Sequence, residues 1–289
     1  MRFLLVSNKE SSFRFRATKI RNSLTYFTGY IFINSYPFGK LFYLPTFEGS
    51  LIVFQMDNYQ TPDLLLYIHP LASFCHKVLI ALYENDTEFE SRIVDLMQEE
   101  SSAELLAYWP VGKIPLLRDR KREKTIPETS IIIEYLNEFY PGKVKLIPSD
   151  FSLALETRLW DRFFDLYISE PMQKIVVDRL RPEGQNDKLG VEQAYQRLPI
   201  AYDMLEGQLQ SHSFVVSDNF SMADCSAVPA LFYADTILSF RNTHPKLTAY
   251  FERLLERQSV KRTIVEASPY FHMYPLFDKI PKRFLNEKK

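Results

Sequence analysis

The apolar residues between Leu64 and Phe139 change their spacing in a β-α-β-α-β-β-α order, and this order constrains the fold more than any other feature of the chain. It opens with the apolar run Leu64–Ile68, which ends at His69-Pro70 and predicts a buried strand followed by a turn. A β-α-β connection crosses over right-handedly between parallel strands, whereas two strands joined by a short charged turn pair antiparallel. We therefore expect an α/β domain with a mixed sheet over residues 62–142.

Beyond this domain the apolar spacing is helical throughout. Tyr140-Pro141-Gly142 should stop the preceding helix, and residues 143–150 have no clear period, which is typical of a linker. The sequence then predicts an all-α domain over 151–267 and a C-terminal tail over 268–289. The expected helices cover about Phe151–Leu180, Lys188–Gln210, Ser221–Leu238, Pro245–Glu256 and Val260–Ala267.

The first 61 residues differ from the rest in charge and pattern. Residues 1–55 carry seven basic side chains against two acidic ones, among aromatic residues with no steady period. The apolar run Phe3–Val6 is too short for a signal peptide, and polar residues interrupt the longest uncharged stretch, so a membrane span is not expected. We expect an extension of doubtful order that is not native, with the natural start at Met56; an anchoring extension is the alternative.

The overall charge and the cysteine content exclude several classes of function. With 35 basic and 36 acidic side chains the chain has no global positive field, so nucleic acid is not an expected partner. Its two cysteines, Cys75 and Cys225, lie far apart in helical segments, so neither a disulfide framework nor a metal site is expected. A cytoplasmic protein without a metal fits this composition.

Two motifs in the first domain suit the binding of a thiol peptide by a thioredoxin-like fold. Ile114 precedes Pro115 at a strand entry, where a cis bond would leave the Ile114 backbone free to pair with an extended peptide; an ordinary trans bond is the alternative. Glu128 and Thr129 open a helix, where free N–H groups, a hydroxyl and a carboxylate could hold an α-amino acid end. Pro-Glu-Thr is also simply a good helix start.

A third motif is the turn between the first strand and the first helix, "HPLASFCHK". A hydroxyl at the helix start could stabilise a thiolate there. Lowering a thiol pKa from about 8.5 to about 7 requires roughly 2 kcal/mol, which one charge-assisted hydrogen bond and a helix terminus can supply.

These three motifs in this order, followed by a linker and a helical bundle, resemble the cytosolic glutathione S-transferase superfamily over roughly Leu64 to Ala267. Ser221-x-x-Asp224, a capping box within "NFSMADCSAVPALFYAD", is similar to the family's structural signature in the core helix of the second domain. The resemblance implies a thioredoxin-like N-terminal domain followed by an α-helical bundle domain. It also implies that glutathione, as co-substrate, binds at Ile114 and Pro115, with its γ-glutamyl end on Glu128 and Thr129 and with Lys113 nearby.

The expected sulfur activator departs from the family pattern. Ala72 occupies the position where many members have a catalytic serine or cysteine, and alanine cannot donate a hydrogen bond. Ser73 is the next residue and could present its hydroxyl to the sulfur, or act only as a helix N-cap. Cys75 could instead form a mixed disulfide, although it shares a helical face with Val78 and Leu79 and suits a buried structural role. His69 and His76 have no identifiable partner, so we expect surface or turn roles for them.

The second domain should supply the electrophile pocket, and Arg181 could attract an anionic substrate or stabilise the thiolate. Solvated helix-end arginines and core aromatics are the alternative interpretations. The aromatic candidates for the lining are Phe163, Phe164, Tyr167 and Tyr233, together with Trp160.

The resemblance implies a glutathione transferase-like enzyme whose bound thiolate attacks an electrophile or reduces a peroxide. Thiol-disulfide exchange or lyase chemistry through Cys75 is one alternative. A non-catalytic glutathione-binding or regulatory protein is another, and Ala72 supports it. The resemblance also implies a homodimer in which the first domain of one subunit contacts the second domain of the other; no membrane partner is expected.

Overall fold

The computed structural model describes residues 61–96 and 98–285 in full, and the backbone of 32–36, 39–45 and 51–55. The chain forms two compact units, 1–61 and 62–289, which are described separately. In the first unit, β1 (Phe32–Tyr36), β2 (Gly39–Pro45) and β3 (Leu51–Gln55) form an antiparallel sheet in chain order. The sequence pattern predicted no strands there. The expected start at Met56 lies outside the described residues.

The second unit begins with the β-α-β-α-β-β-α order that the sequence predicts. The sheet order is β5-β4-β6-β7; β4 pairs in parallel with β5 and antiparallel with β6, which pairs antiparallel with β7. The thioredoxin-like topology is therefore confirmed. Its elements are β4 (Leu64–Ile68), α1 (Ser73–Glu84), β5 (Glu90–Ile93), α2 (Glu99–Tyr108), β6 (Leu116–Asp119), β7 (Lys124–Ile126) and α3 (Thr129–Phe139).

Strand β4 lies between β5 and β6, and its side chains are apolar apart from the hydroxyl of Tyr67, which donates to Glu104 Oε1 at 2.8 Å. All five of its residues are buried, as expected for a strand covered on both faces. One face packs with Val78 and Leu82 of α1, and the other packs with Val94 and Leu105. The loop after β4 and the loop before β6 are thereby held on a rigid sheet.

The helical part follows residues 143–150, which contain neither helix nor strand. Its α-helices are α4 (Phe151–Phe163), α5 (Glu170–Asp178), α6 (Lys188–Gln208), α7 (Met222–Ile237), α8 (Pro245–Leu255) and α9 (Gln258–Ala267). The all-α prediction is confirmed, and the bounds of α6, α7 and α8 lie within two residues of the expected ones.

One expected helix differs from the structure. The sequence predicts continuous helix from Phe151 to Leu180, but a π-helical turn over Phe164–Ser169 separates α4 from α5. Pro171 lacks an N–H and its ring crowds the carbonyl of the preceding turn, which is a common cause of such an interruption. The wide turn is closed by the N–H of Glu170, which donates to the carbonyl of Asp165.

The sheet part and the helical part share one hydrophobic core. Val78 and Ile80 of α1 belong to the same buried cluster as Val228 and Leu231 of α7. Residues 268–285 were expected to be a tail, but they form short 3₁₀ turns that bury Phe271. Within the described residues, no helix is both long and apolar enough to cross a membrane.

Candidate functional site

A cleft of about 260 Å³ lies between the thioredoxin-like part and the helical part of the second unit. The helical part contributes one wall through Arg162, Asp165, Leu166, Glu170 and Gln173. The thioredoxin-like wall consists of Phe74, Trp109, Lys113, Ile114, Pro115, Pro127, Glu128 and Thr129. All five residues expected to bind glutathione therefore line one cleft.

The loop before β6 presents backbone groups to this cleft. The Ile114-Pro115 peptide bond is cis, as the sequence analysis considered. Within 61–96 and 98–285, the N–H and carbonyl of Ile114 make no backbone hydrogen bond. An extended peptide in the cleft can therefore pair with both groups. Lys113, exposed at the same loop, adds a positive charge.

The start of α3 forms a second polar corner of the cleft. Glu128 is the N-cap residue and has φ 66°, a left-handed conformation that is uncommon outside glycine. Such strain is often kept at functional sites. Thr129 is mostly buried, and its hydroxyl has no hydrogen-bond partner in the described part of the chain. An anion at this helix terminus would meet free N–H groups and a hydroxyl, beside an acidic side chain that suits an ammonium group.

The start of α1 places Ser73 against the helical part. Ala72, and not Ser73, is the N-cap residue, so the alternative N-cap role of Ser73 is wrong. Ser73 is the first residue of the helix and is mostly buried. Gln173 Nε2 donates to Ser73 Oγ at 3.3 Å. Because Gln173 lines the cleft, the Ser73 hydroxyl lies next to the cleft wall, although Ser73 itself is not part of the lining.

Burial limits the chemistry of the other candidates on α1. Cys75 is fully buried, and burial raises the pKa of its thiol to about 12, so it lacks the thiolate that disulfide exchange requires. Of the surface or turn roles expected for His76, the surface role is wrong and the turn role holds. Its ring is buried, its Nε2 donates to the carbonyl of Pro70 at 2.5 Å, and burial lowers its pKa to about 4. His69 has the expected turn role, since its Nδ1 accepts from the N–H of Leu71.

The residues expected to form the electrophile pocket do not line this cleft. Phe163 and Phe164 are buried in the core with Trp160, and Tyr233 is buried there as well. The Tyr233 hydroxyl donates to the carbonyl of Leu71 at 3.0 Å, and burial raises its pKa far above its usual value.

Tyr167 and Arg181 are exposed, and Arg181 Nε lies 3.6 Å from Asp178 Oδ1. Apart from Tyr167, the aromatic candidates thus pack the core, as the alternative interpretation held.

Beneath the cleft wall lies a charged cluster that the sequence pattern did not predict. Lys77 is 1% exposed, and its Nζ lies 2.7 Å from Asp161 Oδ1 and 2.9 Å from Asp165 Oδ2. The ammonium also donates to Ser130 Oγ at 3.0 Å, and that hydroxyl donates to Asp161 Oδ2. The cluster joins α1 and α3 to α4 and the π turn, so it fixes both walls of the cleft relative to each other.

Asp165 connects this buried cluster to the cleft. Burial raises the pKa of its carboxyl group, while Lys77 and Arg162 oppose that shift. Arg162 NH1, on the cleft side, lies 3.3 Å from Asp165 Oδ2. Asp161 and Asp165 are four residues apart, among the apolar residues Trp160, Phe164 and Ile168, and this pair of carboxylates is the sequence signal for the cluster.

Within the described residues, no group of three or more His, Cys, Asp or Glu side chains is arranged to hold a metal ion. The cleft instead suits an extended peptide with an amino-acid end, because free backbone groups at Ile114 and the start of α3 face the same space. Fold and cleft together define a protein with a thioredoxin-like part, a helical part and a cleft between them that can hold an extended peptide.

Comparison with known proteins identifies the family. Residues 66–144 match the family described as glutathione S-transferase, N-terminal domain, and residues 190–253 match glutathione S-transferase, C-terminal domain. A glutathione S-transferase-like protein, LUC7, from a Fusarium species is 28% identical over 190 residues, covering 64% of this chain and 85% of that protein. Glutathione S-transferase A of Pleuronectes platessa is 28% identical over 194 residues, covering 65% of this chain and 84% of that protein.

Solved structures give the same result for the fold. A glutathione S-transferase of Methylobacillus flagellatus with glutathione bound has a TM-score of 0.64 at 23% identity, covering 69% of this chain and 98% of that one. Glutathione transferase F7 of Populus trichocarpa has a TM-score of 0.62 at 25% identity, covering 71% of this chain and 99% of that one. The chain belongs to the cytosolic glutathione S-transferase superfamily.

Proposed function

We propose that this protein is a glutathione transferase-like enzyme that binds glutathione in the cleft between its two domains. The observation that carries the proposal is the cleft itself, in which the backbone of Ile114, unpaired among the residues that the structure describes, faces the start of α3. The cysteinyl backbone of glutathione pairs with Ile114, and the γ-glutamyl end lies on Glu128 and Thr129. Lys113 is available to the glycyl carboxylate.

The proposed chemistry begins with loss of the thiol proton to water. The Ser73 hydroxyl keeps its own proton and donates it as a hydrogen bond to the sulfur anion. The thiolate then attacks an electrophilic carbon, so a C–S bond forms and the leaving group departs with its electron pair. With a peroxide the thiolate attacks one oxygen and the O–O bond breaks, so the other oxygen leaves as an alkoxide that takes a proton from water. The thiol of a second glutathione then displaces water from the resulting sulfenic acid and forms glutathione disulfide.

A non-catalytic glutathione-binding protein is the second candidate. Ala72 favours it, because this residue is the N-cap of α1 and has no side-chain donor for the sulfur. Such a protein would be retained on immobilised glutathione without turnover. The alternative of thiol-disulfide exchange or lyase chemistry has less support, because the Cys75 thiol is buried.

The test measures glutathione affinity and the rate of conjugation to a nitro-activated aryl halide. We expect Ser73→Ala to keep glutathione affinity and to lower kcat/KM by roughly ten- to a hundredfold, the effect of losing one charge-assisted hydrogen bond. Cys75→Ala is the matched control on the same helix and should keep the wild-type rate. A wild-type rate in Ser73→Ala would refute the assignment of Ser73, and glutathione binding without any turnover would favour the non-catalytic candidate.

The family resemblance also supports a homodimer and a cytoplasmic location for the protein. The proposed partners are a small electrophile or peroxide and a second copy of the chain. Exposed apolar side chains on α3 and α4 are the proposed contact surface of the dimer.

A further inference from the structure

Gln173 of α5 joins the helical part to the start of α1 through a side-chain hydrogen bond. Its Nε2 donates to Ser73 Oγ across 100 residues of sequence. Ser73 is mostly buried, and its own O–H donates to no acceptor within the described residues. We infer that Gln173 is a positioning residue that holds the Ser73 hydroxyl with its proton directed at the glutathione sulfur. This inference rests on the proposed function.

A serine hydroxyl has one proton to donate and two lone pairs, and it rotates to suit its partners. When an amide N–H occupies a lone pair, the remaining directions for the proton are restricted. The same hydrogen bond polarises the hydroxyl and strengthens the bond that it donates. Without Gln173, the hydroxyl of Ser73 would rotate freely, and part of its stabilisation of the sulfur anion would be lost.

The position of Gln173 suits this role. It lies on α5, one turn after the π-helical segment, and it lines the cleft together with Asp165 and Glu170 of the same wall. Its side chain is neutral, so it supplies a hydrogen bond beside two acidic residues without adding a further negative charge. A carboxylate at this position would accept the serine proton and draw it away from the sulfur.

The direction of this hydrogen bond can be tested with two substitutions of Gln173. Gln173→Leu removes the donor, whereas Gln173→Glu keeps the shape and replaces the donor with an acceptor. Gln196→Glu is the matched control, because Gln196 is exposed on α6 and is absent from the cleft lining. The readouts are the pKa of bound glutathione, followed by the ultraviolet absorbance of its thiolate, the pH profile of kcat/KM, and the dissociation constant of glutathione.

We expect Gln173→Leu to raise the pKa of the bound thiol by about half to one unit. Because less thiolate is then present, kcat/KM below that pKa should fall about three- to tenfold. Gln173→Glu should raise the pKa of the bound thiol further and should lower kcat/KM by more than about tenfold. Glutathione should bind to Gln173→Leu within about twofold of wild type, since Ile114 and Thr129 are unchanged. The double variant Ser73→Ala/Gln173→Leu should match Ser73→Ala alone, because Gln173 acts through Ser73.

Three results would overturn the inference, and they separate it from the proposed function. If Ser73→Ala raises the pKa of the bound thiol but both Gln173 variants keep the wild-type value, only the role of Gln173 fails. If Gln173→Glu behaves like wild type while Gln173→Leu does not, Ser73 donates to Gln173 and the assigned direction is wrong. If glutathione does not bind to the wild-type protein, the proposed function fails and the inference fails with it.

Discussion

The histidine that follows Cys75 on α1 shows how burial sets the chemistry of single residues in this protein. His76 packs beside the ring of Tyr233, with ring centroids 5.9 Å apart, and donates to the carbonyl of Pro70. Burial lowers its pKa to about 4 from an ordinary value of 6.5. It therefore stays neutral at physiological pH and serves to hold the turn that begins α1.

The buried histidine predicts a specific pH dependence of stability. Between pH 6.5 and about 4 the unfolded chain binds a proton at residue 76 that the folded chain does not, so the folded state loses stability as the pH falls. The loss should reach about 3 kcal/mol near pH 4. We expect the difference in unfolding free energy between wild type and His76→Gln to change by that amount across this window, as measured by urea titrations.

The control for this measurement is His212→Gln. His212 is exposed, so this variant measures what the loss of a histidine outside the core does to the stability curve. Parallel curves for wild type and His76→Gln would show that His76 binds its proton equally well in the folded and the unfolded state, which would contradict the prediction.

Residues of the site were predictable from the sequence where local backbone chemistry defines them. Ile114 precedes a proline, and Glu128 and Thr129 open a helix, so neighbours in sequence mark their roles. Lys77 and Gln173 could not be assigned this way, because their partners Asp165 and Ser73 lie 88 and 100 residues away. Only the packing of the two domains brings these pairs together.

Among the elements, α7 is the helix whose sequence signature and structure agree most closely. Its capping box is present: Asp224 Oδ2 accepts from the N–H of Ser221 at 2.8 Å and from its hydroxyl at 3.0 Å. The other oxygen of Asp224 accepts from the hydroxyl of Tyr250 at 2.6 Å and from the N–H of Val215 at 3.2 Å. One buried carboxylate therefore links the start of α7 to α8 and to the loop that precedes α7.

We expect Asp224→Ala to lower the free energy of unfolding by roughly 3–5 kcal/mol, because it leaves several buried donors without an acceptor. Asp150→Ala is the matched control. Asp150 caps α4 through one exposed hydrogen bond to the N–H of Leu153, so its loss should cost about 1 kcal/mol. Urea unfolding followed by far-ultraviolet circular dichroism compares the two, and equal losses would contradict the role of Asp224.

The elements that sequence reasoning misplaced share a physical cause. The break between α4 and α5 and the packing of 268–285 both depend on what the rest of the core allows. Apolar periodicity describes one face of a segment, but it does not show whether a proline will be accommodated by a wide turn. Nor does it show that residues 268–285 pack on the core, where the ring of Phe271 lies beside that of Phe232 at a centroid separation of 5.8 Å.

At the scale of the whole molecule, residues 62–289 behave as one unit because the domains are joined by charged groups as well as by the core. Glu84 on α1 accepts from both Nε and NH2 of Arg257 at 2.8 and 2.6 Å. Arg257 in turn lies over the ring of Phe220, 4.1 Å from its centroid. This contact at the last residue of α1 and the Lys77 cluster near its middle hold the two walls of the cleft, so the cleft is preorganised for its ligand.

The outer surface of α3 and α4 carries the apolar residues proposed for the dimer. Phe151, Leu155 and Leu159 are four residues apart on α4 and are 77%, 57% and 61% exposed, and Ile131 on α3 is 55% exposed. Glu134 and Arg158 hold the two helices side by side through two hydrogen bonds of 2.7 and 3.0 Å. Water contact with such a continuous stripe is unfavourable, and a second copy placed by a two-fold axis would cover it with the same stripe.

We therefore expect the wild-type protein to sediment as a dimer and Leu159→Glu to sediment as a monomer, because the new carboxylate would be buried without a partner. Ile200→Glu is the matched control, since Ile200 is 63% exposed on α6, away from this stripe. It should remain dimeric. Analytical ultracentrifugation, with circular dichroism to check folding, decides the matter: a monomeric wild type, or equal dissociation of both variants, would show that the dimer does not form through α3 and α4.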